Sequence, residues 1–191
     1  MDNDVSAGNV TTAVAGRLAL ALTLLAFGLG TTGVIHGVGA SDTVTVAHYV
    51  GGVTLFLVGL LALHDGAAAS GAGYVTLGAL WFAWAVSDRG PANAAGLFLV
   101  LFALVALTLT LTGRDTLGRL LYGLLFLSML VLAVAAFAGS SVLARAGGWA
   151  AVASGAVAWY AATAALAHWP TAVSRRAAGR GVTATGRSRA A

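Results

Sequence analysis

The chain contains no cysteine, which excludes disulfides, iron–sulfur clusters and thiolate catalysis. It contains no lysine and no glutamate either, and arginine and aspartate together charge only 8% of its 191 residues. A soluble domain carries about a quarter of its residues as charged side chains. A surface facing water cannot be built from so few, and the polar faces at helical spacing that a soluble bundle needs are missing. Nor is there a basic segment ahead of the first apolar run, so no cleaved leader is expected.

What remains is 59% hydrophobic. Apolar stretches recur at Gly16–Gly39, Val44–His64, Ser70–Ser87, Pro91–Thr112, Thr116–Gly139 and Val142–His168, each between 18 and 27 residues long. At about 1.5 Å per residue each can cross the roughly 30 Å hydrocarbon layer as a helix. Helix is required there because backbone in lipid must satisfy its own hydrogen bonds. The breaks are short and of turn composition, such as Ala40-Ser41-Asp42-Thr43, Asp65-Gly66 and Gly113-Arg114-Asp115. The expected fold class is therefore an all-α membrane protein: a bundle of six transmembrane helices with short loops, successive helices antiparallel. Residues 14–169 form that domain, with disordered tails at 1–13 and, Arg-rich, at 170–191.

Arginine sets the expected orientation. With both termini cytoplasmic, the inner side holds Arg17, Arg114, Arg119, Arg175, Arg176, Arg180, Arg187 and Arg189, and the outer side only Arg89 and Arg145. The positive-inside rule favours that arrangement, in the cell (plasma) membrane. The basic tail is read as meeting acidic lipid headgroups, not nucleic acid.

Chemistry-bearing residues are sparse. All six aspartates fall in tails or loops, so no carboxylate relay sits at the midplane. No metal-ligand spacing, phosphate-cradling loop or catalytic triad is present, and the expectation is no enzyme, no catalytic residue, no metal and no cofactor. His36 and His48 lie in the outer half of the first hairpin. They are open to two readings, a proton relay or ordinary interfacial side chains. His64 and His168 read as interfacial anchors. Glycines cluster in the first, second and last helices, where small faces let backbones approach closely or keep a narrow route open. Threonines inside the spans are expected to bond back to their own helices.

Several segments together resemble the acetate uptake transporter family, small six-helix membrane proteins of the SatP/YaaH type. Arg145-Ala146-Gly147-Gly148-Trp149, then Gly155 and Ala158-Trp159-Tyr160, is similar to that family's closing pattern. Leu121-Tyr122-Gly123-Leu124-Leu125 is similar as well, and Gly51-Gly52, Gly59 and Gly66 match family glycines. The run Tyr74-Val75-Thr76-Leu77-Gly78-Ala79-Leu80-Trp81 resembles the family's third-helix segment, and the likeness covers residues 16–169. The family's polar hallmark in the first helix is replaced by Val14-Ala15-Gly16-Arg17-Leu18-Ala19-Leu20. Family polar positions are here Leu55, Ala62, Ala67, Leu77 and Ala165.

The resemblance implies passage of acetate or a related small carboxylate, proton-coupled or channel-like, and assembly into homo-hexamers. The expected pathway residues are Tyr74, Thr76, Gly78, Trp81, Gly51, Gly52 and Tyr160, with Arg17 at the inner mouth and His36 and His48 as the proton relay. The alternative is a non-transporting membrane protein that keeps the fold for stress tolerance or for docking a partner.

Overall fold

The computed structural model describes residues 2–87, 92–113 and 115–167. Among them there are six helices long and apolar enough to cross a membrane, and no strand. Helix α1 spans Asp2–Thr32, so it starts upstream of Gly16, inside the segment assigned to a tail, and ends well before Gly39. Gly33 ends it at φ 67°, a left-handed conformation that glycine adopts without the Cβ penalty. The second span, α2, begins as a 3-10 turn at Ala40–Thr43 and one α turn at Val44–Val46, widens into a π-helix at Ala47–Thr54, and finishes as an α-helix at Leu55–His64. Then follow α3 (Ala68–Ser87), α4 (Ala92–Thr112), α5 (Thr116–Ala138) and α6 (Ser141–Leu166). The side chain of Asp115 caps α5 by accepting from the Gly118 N–H at 2.9 Å, satisfying one of the orphan donors of its first turn. Arg89, Pro91, Arg114, His168 and the 170–191 tail lie outside the described residues.

The helices close into a ring. Each packs on its neighbours in sequence, and α1 packs on α6 to complete the circle. The contact of α3 with α4 is the lightest in the ring. Aromatic pairs bridge it, Trp84 with Phe98 at 6.1 Å and Trp81 with Phe102 at 5.1 Å between ring centroids. The most enclosed of the six is α1. It meets α6 through glycine: a Cβ on Gly28 would sit 2.8 Å from the Gly148 carbonyl oxygen, so only hydrogen lets these backbones approach.

Polar groups inside the spans behave in two ways. Thr23, Thr31, Thr76, Thr108 and Thr110 each donate to the carbonyl four residues back, as expected. Ser128 and Ser154 instead cross between α5 and α6. The Ser128 hydroxyl donates to the Gly147 carbonyl and the Ser154 hydroxyl to the Leu121 carbonyl, both at 2.8 Å and fully buried. Such bonds hold membrane helices together for about 0.6 kcal/mol each, up to about 1.7. The double variant Ser128→Ala/Ser154→Ala is expected to lose about 1 to 2 kcal/mol in a detergent unfolding titration, the loss doubling from single to double variant.

Candidate functional site

The ring is filled through its middle. Leu20, Leu24 and Phe27 of α1, Leu55 of α2, Leu77 and Trp81 of α3, Phe102 of α4, and Leu125 and Met129 of α5 belong to one buried cluster. Two amphipathic side chains of α3 stand among these apolar ones. Tyr74 is 3% exposed and Trp81 1% exposed. Seven residues apart, they lie on one face of α3 about 10 Å from each other along its axis.

Trp81 sits where four helices meet. Its ring lies edge-on to Phe27 of α1 at 5.2 Å and against Phe102 of α4 at 5.1 Å. A Cβ on Gly51 of α2 would come within 3.1 Å of it and 2.6 Å of the Thr23 methyl. The π-helical turn of Ala47–Thr54 is centred on this approach. Thr54 donates to the Tyr49 carbonyl five residues back, following the wider turn. The indole Nε1–H of Trp81 is fully buried and has no hydrogen-bond partner among the described residues. An orphaned buried donor costs about 1 to 3 kcal/mol, so its persistence here asks for a use.

Tyr74 roofs a vestibule at the end of the bundle that carries Arg17. This cavity, of about 190 Å³, is lined by Ala13 and Arg17 of α1, Ser70 and Tyr74 of α3, Thr112 of α4, and Asp115 and Tyr122 at and beyond the start of α5, among others. The Tyr74 phenol lies over Gly16, where a Cβ would collide with the ring, and its hydroxyl donates to the Ala13 carbonyl at 3.2 Å. The Arg17 guanidinium and the Tyr122 hydroxyl both lie against the Tyr74 hydroxyl. Arg17 also pairs with Asp115 at 3.7 Å. This is the polar centre of the described residues, combining a cation, two phenols and a carboxylate at the foot of an apolar column.

The residues expected from sequence divide accordingly. Tyr74, Trp81 and Gly51 come together in the interior. Gly52 and Gly78 lie where α2 and α3 touch, and they line a half-open apolar groove of about 350 Å³ with Phe56 and Phe82 on the bundle's flank. Thr76 and Tyr160 face outward, Thr76 bonded to its own helix and Tyr160 44% exposed, so the interior column does not include them. His36 stands in the exposed 33–39 loop. His48 is half-buried on α2, edge-on to Tyr49 at 4.9 Å and tilted against Phe82 at 4.6 Å. No group of three or more histidines, aspartates or glutamates that could hold a metal ion occurs among the described residues. Sequence reading missed Asp115 and Tyr122 as site residues. The available signal was an aspartate capping a helix whose Tyr122 stands seven residues on, at the same end of the bundle as Arg17.

No protein-family model matches the sequence, and no curated protein does. Among solved structures, the bacterial acetate channel SatP superposes with a TM-score of 0.73 and 19% sequence identity, over 81% of this chain and 91% of that one. The resemblance read from the sequence thus holds at the level of architecture: the chain is a multi-pass membrane protein built on the same fold as the bacterial acetate channel SatP.

Proposed function

We propose that the chain is a channel or transporter for acetate and related small monocarboxylates. The reading rests on one observation above the others, the unpartnered Trp81 indole N–H buried midway through a fold shared with an acetate channel. The vestibule receives the carboxylate from the cytoplasmic side, both termini being placed there by the arginine count. Beyond Tyr74 the column is apolar, with Leu20, Leu24 and Leu77 fully buried. A carboxylate in so low a dielectric costs several kcal/mol, whereas the neutral acid does not pay that penalty. The solute therefore crosses protonated, and the Trp81 N–H gives it a hydrogen bond between the two ends. His48 and His36, at the opposite end, exchange the proton with the outer side. In the membrane the protomers assemble as a homo-hexamer, each with its own pathway.

A filled interior also favours a second reading, a packing module that transports nothing. Uptake of radiolabelled acetate by proteoliposomes, with and without an inward proton gradient, separates the two. Saturable, protein-dependent uptake that rises with the gradient is expected. Uptake equal to that of empty vesicles for acetate, lactate and succinate alike supports the packing module.

A further inference from the structure

Arg17 lies further inside its span than Asp42, Arg119 or Arg145 do in theirs, which makes it the deepest charge in the six spans. A cation placed that far along a membrane span is costly unless it is paired, hydrated or functional. Its partner is a poor one. Asp115 approaches through a single oxygen at 3.7 Å, and the same oxygen accepts the Gly118 N–H that caps α5. A guanidinium satisfied by a carboxylate takes it in a two-pronged geometry at about 2.7 to 2.9 Å. Asp115 leaves that geometry unused, and the side chains are 31% and 48% exposed, so their attraction is screened.

Resting on the transport reading above, we propose that the vestibule is a binding site for one small monocarboxylate, in which Arg17 pairs the incoming anion and Asp115 is the tethered competitor that it displaces. The 190 Å³ cavity has ample room for an anion of acetate's size. The Tyr74 and Tyr122 hydroxyls line it beside the guanidinium, and Tyr74 turns its proton from the Ala13 carbonyl to the bound anion. Ser70 lines the same cavity. With the anion bound, Asp115 keeps its bond to Gly118 and remains the cap of α5, so displacement costs the fold little. When the bound anion takes a proton from the water that reaches the half-exposed Arg17–Asp115 pair and leaves toward Trp81 as the neutral acid, Asp115 returns to Arg17 and the cation is never left alone. The pair thus neutralises the vestibule between passages and sets its affinity low enough for release.

The test is the thermal unfolding midpoint of the detergent-purified full chain, titrated with sodium acetate against sodium chloride at equal ionic strength. A ligand that binds only the folded chain raises the midpoint in proportion to its occupancy. Acetate is expected to stabilise the parent protein where chloride does not. Arg17→Gln removes the charge-assisted pair and is expected to weaken the acetate response at least tenfold. Asp115→Asn caps a helix as well as aspartate does and so preserves α5. Loss of its screened competition is expected to tighten the response about threefold. Should Arg17→Gln fail to fold, Asp115→Asn still decides. Acetate stabilisation that is absent from the parent, unchanged in Arg17→Gln, or weakened in Asp115→Asn overturns the site. Proteoliposome uptake on the same preparations keeps the two claims apart. Arg17-dependent binding without flux sinks the transport reading and leaves the site standing; flux indifferent to Arg17 does the reverse.

Discussion

Trp81→Phe is expected to cut acetate flux about tenfold while leaving the bundle as stable as the parent. The flux follows from losing one hydrogen bond to the passing acid, worth about 1 to 1.5 kcal/mol, which is close to a factor of ten in rate. The stability follows from two opposed terms. Phenylalanine keeps the ring contacts with Phe27 and Phe102 but leaves a small cavity, costing about 24 cal/mol per Å³. It also abolishes the orphaned Nε1–H, relieving about 1 to 3 kcal/mol. The net change is expected within about 1 kcal/mol of zero. Labelled-acetate uptake and a denaturation titration on the same preparation check both halves. A variant that loses flux and stability together would make Trp81 a packing residue and remove the main support for the pathway.

Gly78→Val carries the largest expected loss of stability. An added Cβ would lie 2.5 Å from the Phe56 backbone nitrogen and 2.8 Å from its Cα, and backbone cannot swing aside as a side chain can. Helices α2 and α3 must separate, at a cost of about 3 kcal/mol or more. The matched control is Gly123→Ala on α5, where the nearest atom to the new Cβ is the Thr110 methyl at 3.7 Å, an ordinary contact. That variant is expected to hold or gain up to about 1 kcal/mol from better helix propensity. Unfolding midpoints in detergent separate the two, and equal midpoints would mean that α2 and α3 do not meet at this glycine.

The difference between those glycines marks where the sequence was informative. Length and apolarity fix six spans because the bilayer imposes a minimum on both, and the ends came within a few residues wherever a capping signal such as Asp115 or Gly139 was present. The first helix was started too late and carried too far, the latter because 33–39 is apolar enough to continue it, and only the left-handed Gly33 and Gly37 end the run. The π-helical turn at Gly51-Gly52 was not legible. It arises from the approach of Thr23 and Trp81 on other helices, and local composition carries no trace of those contacts.

The site was legible in the same uneven way. Tyr74, Trp81 and Gly51 emerged from the family resemblance and do converge. Thr76 shared that segment of sequence, but a helix turns about 100° per residue, and two positions beyond Tyr74 it points away from the interior. Tyr160 on α6 is likewise exposed. Arg17 was visible as a charge in an apolar run. Its relation to Asp115 and Tyr122 joins residues about a hundred positions apart through a closed ring, which only the tertiary structure brings together.

Isotope exchange tests the central claim most directly. Proteoliposomes would be equilibrated with the same acetate concentration and the same near-neutral pH on both sides, the leak of neutral acid being read from empty vesicles, and labelled acetate then added outside at trace level. With no gradient of solute, proton or potential, label moves faster than the lipid leak only if the protein offers a route. The account predicts label equilibration at least about tenfold faster than in empty vesicles, slowing to the empty-vesicle rate as unlabelled acetate saturates the route. Equilibration at the empty-vesicle rate at every acetate concentration would contradict it.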